Sequence, residues 1–210
     1  MSSFVYHIYH WFTQRIPLVV WDRTYDITEE QKNEIALLLA KDYYVILTGD
    51  NGSLSSWFVS FLSWVKTGKW SHYSHALMNC DFVIDPNDRE KFKFIEATAV
   101  GVHYSTFDHV FSCDHVCLLS PRNMAVSEWT FAIDALLTYN GRPYDDLFDL
   151  VDSSRLSCVE VVVKSLQAVP AYENKFVKLN EYLNNGNDLL PQTFKDCGDF
   201  VVSYEVKNYV

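Results

Sequence analysis

"SRLSCVEVVVKSL", residues 154–166, decides how this chain is read. Val161, Val162 and Val163 are β-branched and favour a strand. Spacing argues the other way: Val159, Val162, Val163, Leu166 and Val169 form a helical stripe, whereas an alternating strand would expose one of the consecutive valines. The segment therefore reads as a buried helix starting near Ser154 to Ser157, both acceptable caps, with Cys158 in its first turn. A cysteine in mid-helix usually fills space, but one in the first turn feels the positive end of the dipole and can be held as a thiolate. Cys158 is then either filler or a nucleophile.

Around this segment, Thr28 with Gln31 resembles a capping box opening a helix over residues 29–42, with Ile35, Leu38 and Leu39 on one stripe. "YYVILT" (43–48) reads as a buried strand and "GDNGS" (49–53) as the turn that ends it. Leu54, Trp57, Phe58, Phe61, Leu62 and Val65 recur as one helical face before Gly68 stops it. Strands are predicted at 74–80, 91–98, 101–105, 115–120 and 199–206, with a helix at 126–139. The fold class is α+β: an antiparallel sheet with helices segregated to one side, one of them carrying Cys158. No repeat or linker divides the 210 residues, so a single domain is expected, with residues 1–42 as a helical N-terminal extension and 43–206 as the core.

Composition narrows the function. Hydrophobic residues at 49% and charged ones at 21% describe a folded protein. A net charge of −10 without any basic run makes nucleic acid an unsuitable partner. The aromatic stretch 4–21 is broken by His7, His10, Gln14, Arg15 and Pro17 and lacks the pattern of a signal peptide; it is expected to dock on the domain, with contact to a membrane surface as the alternative. Five scattered cysteines suit reduced thiols in a cytoplasmic protein, bacterial or encoded by a virus or phage.

A nucleophilic thiolate needs a base, and the base an orienting partner. His75 and Glu96 lie on consecutive predicted strands, where antiparallel pairing can place them on one face, His75 with Leu77 and Asn79, Glu96 with Phe92 and Phe94. Ionisable groups on a covered face need each other, and Cys158 on the covering helix would complete a Cys-His-Glu relay.

The chain resembles the circularly permuted branch of the NlpC/P60 superfamily of papain-like cysteine hydrolases, the YiiX/YebB-like group related to lecithin-retinol acyltransferase-like proteins. Four stretches carry the likeness: 45–78 with its Ser-His pair, "FIEATAVGV" (94–102), 141–162 with "GRPYDD" and the Cys158 helix start, and "LPQTF" (190–194). The resemblance implies Cys158 as nucleophile, His75 as base and Glu96 as third member. It also suggests Tyr73 and Tyr144 as substrate-binding positions. One departure is local: the family usually has serine after the nucleophile, whereas here Val159 follows and Ser157 precedes.

The expected activity is hydrolysis of an amide, in a peptide or cell-wall-like substrate, through a thioester, with no metal or organic cofactor required. Deacylation of a lipid or acyl transfer on the same triad is the alternative, and a catalytically silent binding module a third. His109, Cys113, His115 and Cys117 could ligate zinc, but their spacing fits no common site and they read as loop and core residues. The acidic run Asp145, Asp146, Asp149 and Asp152 lacks a calcium-loop pattern and reads as a solvated helix face or turn.

Overall fold

Thr28 opens the first helix, α1 (Glu29–Leu39), through the expected reciprocal cap: Gln31 N–H donates to Thr28 Oγ1 at 3.2 Å and Thr28 N–H donates to Gln31 Oε1 at 2.7 Å. Its inner face, Ile35, Ala36 and Leu39, is buried. The computed structural model describes residues 26–49, 54–68, 70–81, 83, 85–145, 154–185 and 189–208. The aromatic stretch 4–21, most of the 49–53 turn, and Asp146, Asp149 and Asp152 lie outside the described residues.

Six strands form one sheet: β1 (Val45–Gly49), β2 (His75–Asn79), β3 (Lys93–Thr98), β4 (Gly101–Thr106), β5 (His115–Pro121) and β6 (Phe200–Lys207). Their spatial order is β4-β3-β2-β1-β5-β6, and every neighbouring pair is antiparallel. Each predicted strand overlaps an observed one. The remaining helices are α2 (Leu54–Thr67), α3 (Phe107–Val110), α4 (Trp129–Thr138), α5 (Cys158–Gln167), α6 (Tyr172–Lys175), α7 (Val177–Asn184) and α8 (Pro191–Asp196).

Helices cover both faces of the sheet, which corrects the expectation that they sit on one side. On one face Val45, Leu47, Ala76, Met78, Ile95 and Leu119 pack with α4 and α5. On the other, Ile46, Leu77, Phe94, Val116 and Leu118 pack with Ile35 and Leu39 of α1 and with Phe107 and Val110 of α3. The physical reason is the continuous apolar run in the central strands: Val45, Ile46 and Leu47 are all fully buried, and such a run needs cover on both sides. Residues 29–39 are thus part of the core packing.

Two further differences concern helices. In α2 the serines Ser56, Ser60 and Ser63 face inward, Ser56 and Ser74 sharing a hydroxyl hydrogen bond of 2.5 Å, while Trp64 and Val65 are exposed. Val65 therefore does not belong to a buried stripe. The α6 to α8 segment was not foreseen, because its sequence is short and polar; Phe176, Leu179 and Phe194 anchor it in the core, and Pro191 stands at the start of α8.

Candidate Cys-His-Glu site

Cys158 is the first residue of α5, and Ser157 is its N-cap in extended conformation (φ −79°, ψ 170°). Ser157 N–H donates to Glu160 Oε2 at 2.7 Å, so a carboxyl three positions on closes the helix start. Val159, Val161, Val162 and Val163 are all buried, because α5 is enclosed by the sheet and by α4. That enclosure explains why a valine-rich run is a helix here: every residue from Cys158 to Val163 is buried, and turns so enclosed ask for apolar residues all round. Cys158 is 6% exposed.

His75 opens β2 and Glu96 lies within β3. The two strands share the register pairs Met78↔Ile95 and Asn79↔Phe94. Continuing that register places Glu96 opposite Leu77, so His75 and Glu96 are diagonal neighbours on one face and not directly opposed. The diagonal suffices: His75 Nε2 donates to Glu96 Oε2 at 2.6 Å. Alternation puts both residues on the α1 face, with Leu77 and Phe94, as expected.

Helix α5, however, packs on the opposite face, so it does not cover His75 and Glu96 as the sequence reading assumed. The meeting happens at the end of the sheet. His75 is the first residue of its strand and Cys158 the first of its helix, and the thiol lies close enough to act on the imidazole. With Nε2 committed to Glu96, the ring nitrogen left for the thiol is Nδ1.

Electrostatics follow the contacts. Burial works against a charge on His75, but the hydrogen bonds and charges of Cys158 and Glu96 outweigh it and raise the imidazole to about 10. Burial would raise the Glu96 carboxyl, yet His75, the Ser105 hydroxyl and His109 hold it at about 2. Glu96 is 4% exposed; its Oε1 accepts from Ser105 Oγ and faces His109 Nε2 at 3.4 Å and His103 Nε2 at 3.7 Å. These three partners were missed by sequence reading. The signal lay in β4, where His103 pairs with Glu96 and Ser105 follows on the same face.

Other candidates fall elsewhere. Tyr73 is fully buried; its hydroxyl donates to Glu205 and the Lys195 ammonium lies 5.7 Å from its ring centre, so it is a core residue and not a cleft wall. Tyr144 is half-buried and packs against the core cluster that includes Cys158. Asp145 is buried, which corrects its reading as a solvated residue. It approaches Glu160, whose carboxyl is raised to about 7 by burial, against the Ser157 hydrogen bonds and with help from the Asp145 charge. Cys113 and Cys117 are buried, while His109 on α3 faces Glu96.

No family model matches the chain, and no curated protein matches it. The fold is similar to the crystal structure of metalloprotein YiiX from Escherichia coli O157:H7, DUF1105, with a TM-score of 0.55, 18% identity, and coverage of 80% of this chain and 98% of that one. The likeness establishes a YiiX-like α+β fold. Among the described residues, no group of three or more His, Cys, Asp or Glu could hold a metal ion. Glu96 Oε2 faces the imidazole of His75, and Oε1 faces those of His109 and His103. No helix among the described residues is long and apolar enough to cross a membrane.

Proposed function

We propose that this chain is a cysteine hydrolase of the permuted papain-like kind, cleaving an amide bond in a peptide or cell-wall-like substrate. The observation that carries the reading is the unbroken contact from Cys158, at the start of a buried helix, through His75 to Glu96. His75, raised to about 10, already holds the proton of the pair at neutral pH, and Cys158 Sγ bonds to the carbonyl carbon as the thiolate. The N–H groups of the first turn of α5, which have no partner within the helix, receive the oxyanion. The C–N bond then breaks, His75 gives its proton to the leaving amine, and a thioester remains. Water, deprotonated by His75, attacks the thioester, the C–S bond breaks to release the acid, and Sγ leaves as the thiolate beside the protonated His75. Glu96, ionised throughout the neutral range, fixes the ring and stabilises its charged form.

One observation favours a second reading, lipid deacylation or acyl transfer on the same triad. Trp64 and Val65 of α2 and the nearby Trp70 are exposed together in one stretch of chain, an apolar surface suited to an acyl substrate. Peptidyl aminomethylcoumarin amides and methylumbelliferyl acyl esters, the latter with and without phosphatidylglycerol vesicles, separate the two. Amide turnover that disappears in Cys158→Ala, with an acyl adduct on Cys158 seen by peptide mass spectrometry, is expected. Turnover of esters alone, raised by vesicles, would favour the second reading. Absence of any adduct on Cys158 with either class would count against both.

A further inference from the structure

Two carboxyls, Glu160 and Asp145, are buried at the start of α5, 1% and 3% exposed, and close enough to act on each other. The chain is tied so as to hold them there. Val102 N–H donates to the Arg142 carbonyl at 2.8 Å and Gly141 N–H to the Val102 carbonyl at 2.8 Å, which fixes residues 141–142 to the outer edge of β4. Gly101 permits this approach: its φ is +105°, and a Cβ there would run into the Arg142 carbonyl. Leu156 N–H then donates to the Pro143 carbonyl at 3.0 Å, so the chain two residues before Asp145 is bonded to the chain two residues before Cys158.

Two negative charges enclosed together are costly unless one of them is neutralised. Glu160 Oε2 accepts the Ser157 N–H, whereas Oε1 is buried without a hydrogen-bond partner among the described residues. Carrying a proton, Oε1 becomes a donor, and the Asp145 carboxylate is an acceptor beside it. Burial raises the Glu160 carboxyl to about 7; the Ser157 hydrogen bonds oppose the rise and Asp145 adds to it. Other charges near α5 are engaged or wet. His75 and Glu96, on β2 and β3, pair with each other on the opposite face of the sheet. Lys93 of β3, Asp134 of α4 and Arg155 are exposed, Lys164 is half-buried one turn along α5, and Arg142 lies over the Tyr139 ring at 4.6 Å.

We propose that Glu160 and Asp145 share one proton, Glu160 Oε1 donating to an Asp145 carboxylate oxygen, and that this acid pair is a positioning device that fastens the 141–145 segment to the first turn of α5 and so sets Cys158. When the proton leaves, a second buried negative charge stands two residues from the thiol, loosens the helix start and opposes the thiolate. Glu160, raised from 4.5 to about 7, then contributes stability that is fully present below pH 4.5 and is lost as pH rises through 7. The pair holds the helix start whether or not Cys158 turns over a substrate, so it does not rest on the hydrolase reading.

Carboxyl carbon NMR of the full chain, labelled with ¹³C at glutamate, follows the proton directly. One glutamate is expected to titrate near neutral pH. Glu160→Gln should remove that signal, and Asp145→Asn should lower its midpoint by about one pH unit or more, because a like charge is gone. In urea unfolding the native chain should lose ground to Glu160→Gln as pH rises from about 5 to about 8, since the amide stands in for the neutral acid. The ratio of Cys158 alkylation rates by iodoacetamide, native chain to Glu160→Gln, should fall at least about twofold from pH 6 to pH 8, a change that a purely structural role would not produce. No glutamate titrating above pH 6 in the native chain, a midpoint unmoved in Asp145→Asn, or a rate ratio indifferent to pH would each overturn the proposal. The first of these needs no variant, so it decides even where a substitution prevents folding. A Cys158 that is slow in every form, with the titration and its shift intact, would count against the hydrolase reading alone.

Discussion

His72 and His75 share one short stretch of chain and are driven in opposite directions. His75, between a thiol and a buried carboxylate, is raised to about 10. His72 is lowered by burial and by two lysines. The same side chain is thus made readier to hold a proton in one place and readier to lose it three positions away. What differs is the company supplied by distant parts of the chain: Glu96 and Cys158 in one case, Lys195 and Lys207 in the other. Chemistry in this protein is assigned by tertiary neighbours and not by residue type.

The widest separation between the two histidines is expected in turnover. His75→Ala should lower kcat/KM on a responsive amide or acyl substrate by about 10²-fold or more, the usual worth of a positioned base. His72→Ala should leave the chemical step within about threefold, as a residue outside the Cys158–His75–Glu96 chain should. Equal losses in the two variants, measured with the same substrate, would dissolve the distinction.

Stability should separate them next. Glu96, lowered from 4.5 to about 2, contributes stability that is fully present above pH 4.5 and is lost as pH falls through 2. His75, raised from 6.5 to about 10, contributes stability fully present below pH 6.5 and lost as pH rises through 10. Between pH 4.5 and 6.5 both contributions stand. Urea unfolding at pH 5.5 should therefore show Glu96→Gln destabilised by about 3 kcal/mol, since removing one member of a buried pair strands the other. Glu96→Gln should also flatten the loss of stability between pH 4.5 and 2. An unchanged acid limb would mean that Glu96 is not held by His75.

A smaller effect belongs to Ser105, which donates to the Glu96 oxygen not used by His75. Ser105→Ala should cost about 2 kcal/mol in unfolding free energy, the worth of one hydrogen bond to a charged group, and roughly fivefold in turnover. A loss as large as that of Glu96→Gln would make Ser105 a member of the relay itself. The subtlest effect lies at His72: Lys207→Gln should move its NMR titration upward and leave His75 where it is, because Lys207 is one of the charges that depress His72.

Much of the fold was legible because it is written in local patterns. The Thr28–Gln31 cap, the buried strand at 45–49 and the α5 helix start each follow from a few adjacent residues. Cys158, His75 and Glu96 were legible too, through helix-start position, strand alternation and family likeness. What was not legible depends on long-range packing. Cover on both faces was hinted at by Val45, Ile46 and Leu47, but which helix lies on which face is set by tertiary contacts. The inward serines of α2 defeat a reading based on apolar stripes, because Ser56 is held by Ser74, far along the chain. Asp145 looked solvated because its neighbours are acidic; its burial comes from the fold around Glu160.

The decisive measurement is the pH dependence of iodoacetamide alkylation, followed at each cysteine by peptide mass spectrometry, in the native chain and in His75→Ala. The contact from Cys158 through His75 to Glu96 predicts that Cys158 reacts fastest, is already reactive below pH 7, and slows sharply when His75 is removed. Cys80 and Cys197, whose thiols burial pushes up to about 11, should stay slow in both. If Cys158 reacts no faster than those two, or is indifferent to His75→Ala, there is no thiol–imidazole pair and the hydrolase reading is wrong.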